Sequence, residues 1–211
     1  MTRAIPATDQ LVVLHNVSWE TYLRLLEDLA DQSSIRVAFD NGEMEIMSPT
    51  AEHEELNRTV ARFLEAVAAA LDLDIRSLGS TTFKRKDVMR GFEPDSCFYL
   101  QNAAAIKGKT RLDLNIDPPP DLVIEIDITS GSLNKLPIYA ALGVPEIWRY
   151  REGKVDILLL KGTSYLDAEF SSTLPLVSAK DVLCFIELSR TERHAVWMKA
   201  VHEWITTKAG L

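Results

Sequence analysis

The chain has 211 residues, 46% of them hydrophobic and 26% charged, enough apolar matter for one globular domain with a full core and too much for a disordered chain. A formal net charge of −8 counts against a general DNA binder, whose affinity comes mostly from Lys and Arg on phosphates, although it permits a local basic surface. Two widely separated cysteines, Cys97 and Cys184, suggest neither a disulfide framework nor a zinc site, and with no apolar run of membrane length and no signal core in residues 1–10 the expected setting is the cytoplasm.

Ser18 reads as the N-cap of an amphipathic helix reaching about residue 29, with Tyr22, Leu23, Leu25 and Leu26 on its apolar side. Residues 35–40 and 43–47 are predicted strands of a hairpin, because Asn41-Gly42 suits the positive φ angles of a two-residue turn. Ser48-Pro49-Thr50 opens a long helix to about residue 73, its apolar stripe formed by Leu56, Val60, Phe63, Leu64, Val67 and Leu71. Strands are predicted at 74–78, 81–86 and 95–100, then a loop over 101–120 that ends in three prolines and has room for a short helical turn. The apolar run from Asp121 reads as a further strand. A helix over 133–142 tolerates Pro137 in its first turn and stops at Gly143. Strands follow at 146–150, 154–160 and 164–170, with a short one at 182–188, before a closing helix over 192–207. No internal repeat interrupts this order. It describes one α/β domain over 1–211, with a mixed sheet core flanked by helices and additional antiparallel strands: a helical extension (1–34), a core (35–190) and a C-terminal helix (191–211).

Side chains alternate faces along a strand. Leu122, Ile124, Ile126 and Ile128 therefore share one face, and Asp121, Val123, Glu125 and Asp127 the other. A strand this apolar is expected to be central and covered on both sides. Glu125 and Asp127 then lie roughly 7 Å apart on a buried face, at about 3.3 Å rise per residue, which is costly unless a positive group sits beside them. A divalent metal answers that need. Asp95 stands at the mouth of its own strand, so Asp95, Glu125 and Asp127 together could supply oxygen ligands to Mg²⁺ or Mn²⁺. Such an ion polarises a phosphoryl oxygen and acidifies a bound water. A nearby lysine would stabilise charge developing on phosphate; Lys135 on the next helix and Lys84 on the preceding strand are the candidates. At about 100° per residue, His53 points inward from the first turn of the long helix, a candidate for the same site, although a satisfied core histidine explains it alone. Two basic clusters, Lys84-Arg85-Lys86 with Arg90 and Lys107-Lys109-Arg111, read more simply as solvated faces. Trp148 and Tyr150 could stack bases, but the apolar strand around them favours packing. Val155, Ile157 and Leu159 need cover, which makes a homodimer plausible.

Pro94-Asp95 followed by Glu125-Ile126-Asp127 resembles the split active-site motif of the PD-(D/E)XK nuclease superfamily. More closely, the chain resembles the Uma-type family of restriction-endonuclease-like proteins over about residues 35–190. The matching residues are Asn41-Gly42-Glu43, Met47-Ser48-Pro49, His53, Glu93-Pro94-Asp95, Asp121 to Glu125, Ser130, Lys135, Tyr139 and Gly143-Val144-Pro145-Glu146-Ile147-Trp148. The resemblance implies a restriction-endonuclease-like core, Asp95 and Glu125 as metal ligands, and nucleic acid, DNA first, as substrate. One departure stands out. The superfamily pattern places Lys two residues after the Glu, where this chain has Asp127. Its cation must come from elsewhere, Lys135 or Lys84, or be absent. Two alternatives follow from the same residues: a nuclease-fold interaction module without cleavage, and a hydrolase of small phosphoesters. Fold alone does not decide among them.

Overall fold

The computed structural model describes residues 8–32, 34–128 and 133–211; Ser130 of the motif lies outside them. The chain begins with β1 (Gln10–Leu14), α1 (Trp19–Asp28), β2 (Arg36–Asp40), β3 (Glu43–Ser48) and α2 (Ala51–Ala70). Four strands follow, β4 (Arg76–Gly79), β5 (Phe83–Arg85), β6 (Arg90–Phe92) and β7 (Ser96–Tyr99), then a 3-10 turn at Ala103–Ile106. The second half holds β8 (Leu122–Asp127), α3 (Leu136–Leu142), β9 (Glu146–Arg151), β10 (Lys154–Lys161), β11 (Ser164–Ala168), α4 (Ala179–Thr191) and α5 (His194–Ala209).

The strands form two sheets, a mixed one at the core and an additional antiparallel one, as the sequence predicts. One is antiparallel, in the order β1-β3-β2-β6-β5; the other runs β11-β10-β9-β8-β7-β4. Within the second sheet β8 and β9 are parallel and the remaining pairs antiparallel. A parallel pair needs a crossover, and α3 supplies it. Gly143 ends α3 at φ 81°, a left-handed angle that favours glycine. The β2–β3 turn uses positive φ at Asn41 and Gly42, as its sequence predicts. Ser18 and Thr50 cap α1 and α2 by accepting from the amides of Thr21 and His53.

β8 is central and covered on both faces. Leu122, Ile124 and Ile126 pack with Leu56, Val60 and Phe63 of α2 and with residues of α4 and α5. Val123 packs on the other side with Phe92, Ile138, Tyr139 and Leu142. The long helix and the alternation on β8 are therefore as the sequence reads them.

Three segments differ from expectation. Residues 182–188, read as a strand, lie inside α4, whose start is fixed by a capping box between Ser178 and Asp181. The first 34 residues contribute more than a helix, because β1 pairs with β3. A further strand, β6, joins β2 to β5. Ile157 is buried, with Val155 and Leu159 packed in the same core alongside α4 residues; the chain covers them itself, which removes the ground for expecting a second copy there. Trp148 and Tyr150 are buried in that core too, so they offer no platform to bases. Glu146, with no exposed surface, accepts from Trp148 Nε1 at 2.7 Å and from the amides of Ser172 and Thr173 at 3.0 and 2.8 Å. The Glu-x-Trp block is thus a structural staple.

Gly91 of β6 lies against the ring of Tyr22. A Cβ there would stand 2.9 Å from Tyr22 Cζ, and Tyr22 is fully buried, stacked on Phe39 at 4.9 Å between centroids. Gly91→Ala is expected to lower the unfolding free energy by about 1–3 kcal/mol, read by urea denaturation. Wild-type stability in this variant would contradict that packing.

Candidate functional site

The two sheets face each other across a cavity of about 600 Å³. Its lining includes Leu11 and Glu45 from the first sheet, Glu125 and Asp127 of β8, Arg149 and Arg151 of β9, and Lys135 and Tyr139 at the start of α3. Glu125 is nearly buried, 8% exposed. Its Oε1 accepts from the Tyr139 hydroxyl, and its Oε2 lies 3.3 Å from Lys135 Nζ. Lys135 also reaches Glu45 Oε1 at 3.4 Å, so one ammonium bridges a carboxylate from each sheet. Burial alone would lower the Lys135 pKa, but Glu125, Glu45 and Asp95 more than offset it and raise it. Burial raises the Glu125 carboxyl above its ordinary value; Lys135 opposes this and neighbouring Asp95 adds to it.

Asp95 sits one step beyond the Ser96–Ile124 pairing, at the register position beside Glu125. Its Oδ2 accepts from the Ile126 amide at 2.8 Å. Its Oδ1 pairs with His53 Nε2 at 2.9 Å. Asn57 of α2 fixes the backbone here, donating to the Asp95 carbonyl at 3.1 Å and accepting from Ser96 Oγ at 2.8 Å. His53 is fully buried, and its other nitrogen, Nδ1, lies 2.9 Å from Asp9 Oδ2. Asp9 is itself held by the Thr50 amide at 2.7 Å. Burial opposes the His53 cation, yet the hydrogen bonds and charges of Asp95 and Asp9 raise its pKa to about 9. The imidazolium in turn outweighs burial at Asp95 and holds that carboxyl below its usual range.

The structure thus brings together Asp95, Glu125, Asp127, Lys135 and His53. Asp127, half-buried, is raised by burial, with Arg151, Lys135 and Arg149 pulling the other way. Lys84 is not among them. It is exposed on β5 and lines a separate groove beside Leu23, Leu26 and Glu93. Lys135 stands at the N-cap of α3 rather than within a helix starting at 133. Asp121 serves the loop instead, accepting from the Leu100 and Asn102 amides at 2.8 and 2.9 Å. Glu93 likewise accepts from the Val37 amide at 2.8 Å and from Thr82 Oγ1.

Sequence reasoning missed Asp9, Glu45, Arg149 and Arg151. For Glu45 a signal existed: a carboxylate between Met44 and Ile46 on a predicted strand. The others depend on long-range register. For a metal, the donor chemistry suits a hard cation, since carboxylate oxygens are what Mg²⁺ and Mn²⁺ take. Among the described residues, however, no three of His, Cys, Asp and Glu are gathered as a ligating group. The ammonium of Lys135 already meets Glu45 and Glu125.

The model of the Uma2 family, described as putative restriction endonuclease, matches residues 19–189. No curated protein matches the chain. Among solved structures, one similar to this chain is the crystal structure of a nuclease, described as putative and belonging to DUF820, from Anabaena variabilis ATCC 29413. It is 15% identical, with 71% of this chain and 90% of that one covered at a TM-score of 0.48.

Proposed function

Because the chain belongs to the Uma2 family of putative restriction endonucleases, we propose that it hydrolyses phosphodiester bonds of nucleic acid in the cavity between its sheets. The observation that carries this reading is the contact of Lys135 with Glu125 beside Asp127. That contact returns a lysine to the acidic strand from the helix after it, although Asp127 occupies the place where the superfamily pattern puts the lysine. Water attacks phosphorus and releases a proton to solvent, while the leaving oxygen departs with the electron pair of the broken P–O bond and takes up a proton. Lys135 faces the negative charge that grows on the phosphoryl oxygens. Tyr139 and Glu45 hold Glu125 and Lys135 in place, and His53 keeps Asp95 anionic. Glu125 and Asp127 are the carboxylates that would hold Mg²⁺ or Mn²⁺, which when bound would supply Lewis-acid polarisation of a phosphoryl oxygen.

A second reading has its own support. Asp127 in the lysine position, and a lysine already satisfying the acids, fit an interaction module that has kept an acidic pocket without cleavage.

The test pairs the wild type with Glu125→Gln and Asp95→Asn. Each is incubated with Mg²⁺ or Mn²⁺ and single-stranded, duplex and branched DNA and RNA, and products are resolved on denaturing gels. Wild-type cleavage is expected to fall by at least about 10²-fold in both variants, as losing a group that acts in the transition state predicts. Cleavage unchanged in both would remove these residues from the chemistry. Nucleic-acid binding without cleavage by the wild type would favour the second reading.

A further inference from the structure

The parallel pairing of β8 with β9 sets Glu125 beside Arg149 and Asp127 beside Arg151. Paired residues on neighbouring strands share a face about 4.8 Å apart, and all four line the cavity. A row of two acids therefore runs alongside a row of two arginines. The arginines are not needed to neutralise Glu125, whose charge Lys135 meets at 3.3 Å. Arg149 is turned toward β10 instead. Its Nε and Nη2 lie 3.3 and 2.8 Å from Asp156 Oδ2. Those bonds fix the guanidinium while leaving Nη1, which makes no bond among the described residues, to another acceptor. Arg151 is exposed and makes no ion pair within 4 Å among the described residues, its charge acting at longer range on Asp127 beside it. A guanidinium held rigid on one edge and open on the other matches the forked geometry of phosphate recognition.

We infer that Arg149 and Arg151 form the phosphate-binding side of this cavity, receiving the backbone of the polyanion whose scissile group lies against Glu125 and Asp127. The inference rests on the nuclease reading and adds the residues that hold the substrate. It also names the cations that would meet the phosphates of a polyanion in a chain of net charge −8. The cationic charge absent from position 127 is supplied at the same level of the sheet by the next strand.

The experiment measures binding rather than cleavage. A fluorescein-labelled oligonucleotide, single-stranded and duplex, is titrated in metal-free buffer over a range of salt concentrations. Fluorescence anisotropy gives the affinity of the wild type, Arg149→Gln, Arg151→Gln, the double variant and Lys199→Gln, an exposed lysine on α5. Each arginine variant is expected to weaken binding roughly 5- to 20-fold at low salt and to reduce the slope of log K against log salt by about 0.7–0.9. Lys199→Gln should leave both unchanged, and the thermal midpoint of Arg151→Gln should stay at the wild-type value. A merely structural arginine would move the midpoint and not the slope. Unaltered slope and affinity in the double variant, equal weakening in Lys199→Gln, or no wild-type binding at any salt would each overturn the inference. The cleavage panel decides the nuclease reading separately, so cleavage lost in Glu125→Gln with undiminished binding in the double variant would sink this inference alone.

Discussion

Lys135→Met is expected to reduce phosphodiester cleavage by about 10²–10³-fold, the range for losing a preorganised charge stabiliser, and to lower the unfolding free energy by roughly 3–5 kcal/mol. Both effects have one cause. The Lys135 ammonium lies 3.4 Å from Glu45 and 3.3 Å from Glu125, with its side chain 13% exposed. Methionine fills similar volume and supplies no charge. Two carboxylates from opposite sheets would then face each other with no cation between them, the situation in which breaking a buried pair costs most. Glu125 already titrates high because burial and Asp95 disfavour its anion. Without Lys135 it would take up a proton at still higher pH in the folded state, so the variant should regain stability as pH falls. Lys135→Arg separates the two roles: it restores charge between the acids but presents a wider, planar head to the phosphate. It is expected to recover most of the stability and little of the rate. Single-turnover cleavage and urea denaturation read the two quantities. A methionine variant with wild-type values of both would show that Lys135 is a bystander.

How far the sequence discloses this arrangement depends on the range of the interaction involved. Local signals were sufficient for the hairpin, where Asn41-Gly42 dictates the turn, and for α2, where a 3.6-residue stripe meets a Thr50 cap. They were also sufficient for the alternation on β8. Residues 182–188 misled because Val-Leu-Cys-Phe-Ile is a short apolar run that fits a strand as well as a buried helix. The Ser178–Asp181 box just upstream was the discriminating feature. β1 is only five residues long and gains its identity from pairing with β3. The same limit applies to the site. Asp95, Glu125 and Lys135 could be proposed because each is anomalous in its own segment. Glu45 and Asp9 enter through packing between segments far apart in sequence, 88 residues for Glu45 to Leu133 and 44 for Asp9 to His53. Arg149 and Arg151 look like ordinary charges until the parallel register of β9 against β8 is known. Lys84 shows the converse. It is near Asp95 in sequence, but β5 belongs to the other sheet.

The Asp9–His53–Asp95 chain should make the stability of the fold depend on pH in one direction across the alkaline range. Both nitrogens of His53 face carboxylates at 2.9 Å, with Arg36 Nε 4.0 Å from Asp95 as the further cation on that side. The folded imidazole is therefore raised to about 9 from its ordinary 6.5. Below 6.5 the folded and unfolded states both carry the proton and the contribution is complete. Between 6.5 and about 9 the unfolded chain has released that proton while the folded protein keeps it, so stability falls as pH rises. Above about 9 the contribution is gone. A shift of this size corresponds to roughly 3 kcal/mol, a large part of the margin of a typical domain. Urea midpoints recorded from pH 6 to pH 10 should decline through that window. His53→Gln should abolish the decline while destabilising the protein at pH 6, because glutamine carries no charge and cannot neutralise two buried anions. A midpoint that stays level from pH 6.5 to pH 9 in the wild type, or an equal decline in His53→Gln, would mean that the imidazole is not the charged link between Asp9 and Asp95. In that case the anionic state of Asp95 would need another source.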